Sequence, residues 1–377
     1  MGGLAHVQGK PMSKESPCPR KAHVQGKPMS KETVIDLRSD TVTLPNQEMR
    51  QAMLSAELGD DVIDVDPTVE RLQSVIAERL GHEAAIFMPS GTMTNQVALR
   101  LHCRPGDEFL CEERCHIFNF EQGAFAQLSG LVARTIPTET ALLQLSDVQS
   151  LIRPPSEHMT RTRLLCLENT HNLGGGRIHP LETVQELCQW ARQNGLATHL
   201  DGARLFNAVV ATGIEASRWG SLFDSVSVCF SKGLGAPVGS ALCGSRELID
   251  EARFHRKLFG GAMRQSGVLA AAALYALEHQ VDRLEQDHRH AGILADGVLR
   301  SDLLTLDPSA VESNIVIFKV DPNWGTAPEF VEALADRDVR MMPFSRQHVR
   351  AVTHMHVDEP MAKHAAAVVE AVAARDA

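Results

Sequence analysis

The chain has 377 residues, 44% of them apolar and 22% charged, enough for one large domain plus a smaller one around a sizeable core. Its formal net charge of -10 argues against a nucleic-acid partner, because phosphate backbones are held by clustered Lys and Arg. There is no apolar run of about 18 residues, so no membrane span is expected. Eight cysteines without framework spacing, several inside apolar stretches (Cys166, Cys229, Cys243), fit a reducing cytoplasm.

At the start, the eleven residues from Ala5 to Glu15 recur unchanged from Ala22 to Glu32. Both copies are polar and carry Gly-Lys-Pro, which predicts a disordered tail over residues 1–33 and a folded chain from Val34. No apolar signal-peptide core is present there. Strands are expected at 84–88, 109–111, 131–136, 163–168, 196–200, 225–230 and 238–243. Between them run helical stretches, one to about His102 and one over 181–193 that stops at Asn194-Gly195. Apolar strands alternating with helices imply an α/β domain, a mostly parallel sheet covered on both faces, over residues 34–286. An Ala-rich helix is expected at 268–281. Strands at 314–320 and 349–355, with helices at 328–336 and 361–374, make residues 287–377 a small α+β domain.

Two apolar strands end on charged residues. Asp201 follows the strand 196–200, and Lys232 follows the strand 225–230. This is the pair that pyridoxal phosphate needs. A lysine amine forms an imine with the cofactor aldehyde, and a carboxylate keeps the pyridine nitrogen protonated so that the ring can absorb electrons. Each residue also has an ordinary reading: Lys232 as a surface lysine closing a strand, Asp201 as a strand-end acid paired with Arg204. Ser90, Gly91 and Thr92 open a helix after a strand, which suits a phosphate and suits a plain N-cap equally. The glycines after Lys232 lack the spacing and following helix of a dinucleotide loop. His116 and His171 follow strand ends, where open α/β sheets bind ligands, although loop histidines are also common. Cys111, Cys115 and His116, or His288 with His290, do not match a closed zinc site, and no metal is expected. The single tyrosine, Tyr275, disfavours a tyrosine acid beside the cofactor within one chain.

From about Val34 to His356 the chain resembles the low-specificity L-threonine aldolases. The resemblance lies in the stretches 36–43, 88–93, 116–118, 168–172, 199–204, 231–234, 260–265 and 350–354, taken in order. It implies pyridoxal-phosphate fold type I, similar to aspartate aminotransferase, and cleavage of β-hydroxy-α-amino acids to glycine and an aldehyde. By resemblance, Lys232 carries the cofactor imine and Asp201 meets the pyridine nitrogen. Ser90, Gly91 and Thr92 bind the phosphate, and His116 stacks on the ring. His171 sits by the substrate hydroxyl as the candidate base. Ser39, Arg204 and Arg350 hold the α-carboxylate, while Lys257 and Arg264 reach the phosphate of a neighbouring subunit. A homotetramer with active sites at dimer interfaces is implied, in the cytoplasm.

Two positions depart from the family's pattern. Ile63-Asp64-Val65 stands where Tyr-Gly-Glu is usual, and Phe120 stands where an aromatic hydroxyl is frequent. Both changes make room for a larger or more apolar β-substituent. Competing readings are another pyridoxal-phosphate lyase or aminotransferase, and a cofactor-binding protein without turnover.

Overall fold

A computed structural model describes residues 34–375 of the chain; the repeated tail over 1–33 lies outside the described residues. In chain order the strands are Ile35–Asp36 (β1), Ala84–Met88 (β2), Asp107–Glu112 (β3), Val132–Ile136 (β4), Arg161–Glu168 (β5), Ala197–Gly202 (β6) and Ser225–Cys229 (β7). Ser240–Gly244 (β8), Leu304–Leu306 (β9), Ile315–Val320 (β10), Val339–Arg340 (β11), Met342–Pro343 (β12) and His348–Val352 (β13) follow.

Seven strands form the main sheet in the order β2-β8-β7-β6-β5-β3-β4. Only β8 runs against its neighbours, so the sheet is mostly parallel, with helices on its faces. Its central strands β6 and β7 are buried almost throughout, polar positions included, because both faces are covered. Helix starts and stops are chemically marked. The helix Pro67–Leu80 begins on Asp66, whose carboxylate accepts from Thr68 N and Val69 N, and ends at Gly81 with φ 70°. Its buried residues, Val69, Leu72, Gln73, Ile76, Ala77 and Leu80, follow the 3.6-residue period. The helix over Leu181–Gln193 has the expected bounds. The helix Arg246–Leu258, absent from the sequence reading, is strongly polar and buries only Ile249, Ala252 and Arg256. With so few apolar positions, its periodicity is faint.

The smaller sheet has the order β12-β13-β10-β9 and is antiparallel. Its core gathers Phe318, Phe330, Val349 and Val369 with Ile35 and Leu37 from the start of the folded chain. β1 pairs in parallel with β11, Ile35 opposite Val339. Residues 35–37, placed with the large domain by the sequence, therefore pack in the second core. The expected break between 286 and 287 also falls inside the helix Leu284–Leu299. Leu284 belongs to the main core and Leu294 to the second, because one helix spans both.

Candidate active site

The parallel strands β5, β6 and β7 end side by side, and their register fixes what meets there. Glu168 lies opposite Asp201, and Asp201 opposite Ser227. Beyond β7 the chain turns through Ser231 and Lys232. Lys232 O accepts from Thr43 Oγ1 at 2.9 Å and from Gly235 N at 2.9 Å. Gly235 has φ 80°, and a Cβ there would lie 2.5 Å from the Met355 sulfur, so only glycine closes this turn. A cavity of about 270 Å³ opens at these ends, lined by Ser39, His116, Asp201, Arg204, Lys232 and Arg350 among others. The structure thus brings together six of the residues singled out in the sequence.

Asp201 is buried beside this cavity. Its Oδ2 accepts from Asn95 Nδ2 at 2.8 Å and its Oδ1 from Ala203 N at 3.1 Å. Burial would raise its pKa, but the charges of His116 and Lys232 and the Asn95 hydrogen bond hold the carboxyl below its usual range. Arg204 does not pair with it. Arg204 instead donates Nε to Asp40 Oδ2 at 2.8 Å and Nη2 to Asp40 Oδ1 at 2.7 Å. That removes the ordinary reading of Asp201 as the partner of Arg204.

The Asp40 carboxylate is fully buried. Burial pushes its pKa up, and the Arg204 guanidinium more than reverses this, holding it well below the carboxylate range. Asn172 Oδ1 accepts from Arg350 Nη1 at 2.9 Å and from Arg204 Nη1 at 3.4 Å, joining the two guanidiniums. Burial and the neighbouring Arg204 lower the Arg350 pKa to about 10. Asp40→Asn leaves the buried Arg204 charge without its partner and is expected to cost roughly 3–5 kcal/mol of stability at neutral pH. Because the folded pKa is depressed, the contribution is complete above the unfolded carboxyl range and is lost as pH falls through the folded value. Urea unfolding of both proteins at pH 7 and pH 3 checks this; equal midpoints at pH 7 would refute it.

His116 starts a short helix at the end of β3. Its backbone N donates to Glu168 Oε2 at 2.6 Å, and its Nδ1 lies 2.9 Å from Glu121 Oε1. The Phe120 ring, on the same cavity wall, stands 5.5 Å from the imidazole. One ligand-type atom from each of His116, Glu121 and Asp201 lies within 4.8 Å of the others. Asn95, donating to both carboxylates, accounts for that closeness.

Ser90 is the N-cap of the helix Gly91–His102, its hydroxyl accepting from Met93 N at 3.2 Å. A Cβ on Gly91 would lie 2.7 Å from Cys229 Sγ at the end of β7. The helix N-terminus therefore abuts the strand that leads to Lys232, and Gly91 and Thr92 open it. Ser90, Gly91 and Thr92 are not among the residues lining the cavity. An amine and an acid on one cavity, with a glycine-opened helix terminus against the strand that leads to the amine, fit pyridoxal phosphate.

One expectation needs correction. His171 is only 1% exposed and does not line the cavity. Its Nδ1 accepts from Gly174 N at 3.1 Å and its Nε2 lies 3.3 Å from Glu112 at the end of β3, so both ring nitrogens are next to groups that do not line the cavity. Lys257 and Arg264 are exposed and away from this cavity, Arg264 lying 3.2 Å from Asp60. Next to Lys257 in the chain, Arg256, which the sequence reading passed over, is buried and lies 2.8 Å from Asp61. Asp40, Glu121, Asn95, Glu168 and Asn172 were given no role from sequence. The only local signal for Asp40 and Glu168 was their place in motif stretches, and Asn95 and Glu121 carried none.

The beta-eliminating lyase family matches residues 36–321. A probable low-specificity L-threonine aldolase 2 of Arabidopsis thaliana is 43% identical over 331 residues, covering 86% of this chain and 93% of the relative. The low specificity L-threonine aldolase of Escherichia coli K12 is 42% identical over 344 residues, covering 91% and 100%. The solved threonine aldolase of Leishmania major superposes with a TM-score of 0.77 at 20% identity, over 90% and 99% of the two chains, a likeness of fold. A serine palmitoyltransferase of Sphingomonas wittichii shares the fold at TM-score 0.72 and 17% identity, over 91% and 88%. With matches of this identity running almost from end to end of the relatives, the chain belongs to the low-specificity L-threonine aldolases, within the beta-eliminating lyase family.

Proposed function

We propose that the protein cleaves L-threonine, L-allo-threonine and related β-hydroxy-α-amino acids to glycine and an aldehyde, with pyridoxal 5'-phosphate as cofactor. The observation that carries this reading is the convergence of Lys232, Asp201 and the paired Arg204 and Arg350 on one cavity. When bound, the cofactor supplies an electron sink for the breaking Cα–Cβ bond. Lys232 is the amine that anchors it, and Asp201 keeps a negative charge at the pyridine nitrogen. Gly91 and Thr92, with the capping Ser90, hold the phosphate at the helix terminus. His116 covers the ring.

The two arginines orient the substrate. Asp40 fixes Arg204 through its Nε and Nη2, so the α-carboxylate meets the remaining edge, with Arg350 and Ser39 beside it. A carboxylate held this way sets which bond at Cα stands across the cofactor plane. Phe120 on the wall favours an apolar β-substituent, so phenylserine is included among the substrates.

His171 is left out of the proton transfer. His171→Asn is expected to lower kcat by less than about tenfold, while unfolding shifts because a buried contact is lost. A loss above about a hundredfold in a folded variant would return the base role to it.

We further propose a homotetramer with active sites at dimer interfaces, where Lys257 and Arg264 reach the neighbour's phosphate. Ile63, Leu54, Phe254 and Leu258 are 81%, 80%, 75% and 64% exposed, which supports burial against another copy. A cytoplasmic location, a role in threonine breakdown and glycine supply, and a division into large and small domains near residue 286 complete the reading. Among the described residues no helix is long and apolar enough to cross a membrane. The described cysteines are free thiols, as a reducing compartment allows.

The test is direct. Protein reconstituted with pyridoxal phosphate is given L-threonine, L-allo-threonine and L-phenylserine, and aldehyde and glycine are measured. Release of keto acid without aldehyde would make it an aminotransferase instead. A bound cofactor with neither product would leave a binding protein.

A further inference from the structure

One carboxylate sits behind the cavity wall without reaching the cavity. Glu121 is 2% exposed. It takes His116 Nδ1 at 2.9 Å and Asn95 Nδ2 at 2.8 Å on Oε1, and Gln96 Nε2 at 2.6 Å on Oε2. Three side-chain partners on one buried acid indicate a group held in place.

Asn95 ties this acid to the cofactor acid. Its amide nitrogen donates to Glu121 and to Asp201, each at 2.8 Å. Its oxygen accepts from Ser227 Oγ at 2.8 Å and faces His199 Nε2 at 3.1 Å, so the orientation of the amide is fixed at both ends. Burial drives the His199 pKa down to about 3, so that ring is neutral and adds no charge. The charged groups around the His116 imidazole are Glu121 on its own turn, Asp201 on β6 and Glu168 on β5, with Lys232 beyond Asp201. Burial alone would make the ring neutral. The Glu121 bond and the surrounding carboxylates outweigh it and raise the His116 pKa.

We propose that Glu121 is a positioning residue that keeps the His116 ring protonated, with Nδ1–H pinned to its carboxylate, so that the wall covering the cofactor is a cation. The inference rests on the function proposed above. A fixed positive charge beside electrons released from the Cα–Cβ bond stabilises the transition state without any reorganisation of solvent. Asn95 bridges the two acids, Glu121 and Asp201, donating one amide N–H to each.

Glu121→Gln tests charge rather than shape. Gln96 Oε1 is buried with no hydrogen-bond partner among the described residues, so turning that amide lets it accept from the introduced one. The experiment is a pH titration of the visible absorbance of the bound cofactor in the holoenzyme. His116→Phe identifies the inflection belonging to the imidazole by deleting it. Glu121→Gln is expected to move that inflection down by more than about one pH unit, a tenfold loss of proton affinity. An inflection left in place, or a curve that His116→Phe does not alter, overturns the inference while the function stands. Should Glu121→Gln not fold, Glu121→Asp keeps the charge but withdraws it by one methylene. It is then expected to give a smaller downward shift, and no shift overturns the inference. A wild-type protein that gains no visible band takes the proposed function and this inference down together.

Discussion

Lys232→Ala is expected to abolish the visible absorbance of the reconstituted protein and to lower kcat/KM for L-threonine by at least roughly a thousandfold. That is about 4 kcal/mol of transition-state stabilisation at 1.36 kcal/mol per factor of ten. The side chain is the amine on the cavity wall, and its backbone is held from outside the site by Thr43 and Gly235. Removing the amine therefore leaves the turn intact. The fold should be preserved, with unfolding shifted by less than about 1 kcal/mol, since the residue makes no buried packing contact that the core depends on. Absorption spectra with and without cofactor, alongside an unfolding curve, separate the two effects. A variant that keeps the band would show that another amine anchors the cofactor.

The second large effect is expected at Asp201. Asp201→Asn keeps the shape and one acceptor but loses the negative charge that faces the pyridine nitrogen. Cleavage should fall by roughly a thousandfold while the cofactor still binds. The carboxylate now accepts from Asn95 on one oxygen and Ala203 N on the other. A carboxamide can serve only one of these, so about 1 kcal/mol of stability is lost as well. Single-turnover aldehyde release, measured with cofactor saturating, isolates the chemical step. Activity within about tenfold of wild type would mean that the nitrogen needs no anionic partner.

These two residues were also the ones easiest to read from the chain. Each ends an apolar run, and in a parallel sheet covered on both faces such runs are continuous and stop where the strand leaves the core. A helix end was legible in the same local way at Asn194-Gly195, whereas the start at Asp66-Pro67, where a side-chain cap satisfies the terminal backbone groups, was not read. The strand reading over 349–355 ran too far for a reason that is not local. Beyond Val352 the Thr353 hydroxyl is taken by Asp287 O and the His354 ring by Asp36 O.

The residues that complete the site were hidden for the same reason. Asp40 and Arg204 are 164 positions apart, and Asn172 joins Arg204 to Arg350 across 32 and 178 positions. His171 sits in a motif stretch yet faces Glu112 rather than the cavity.

What the sequence by itself determined was the seven strands of the main sheet, the residues at their ends and the cofactor chemistry those residue types allow, because burial patterns and capping are written within a few neighbouring positions. Which acid holds which arginine, which histidine faces the cavity and which packs behind it were decided only when the strands took their order. Charge pairing depends on distance and burial in space, and only the folded sheet sets those.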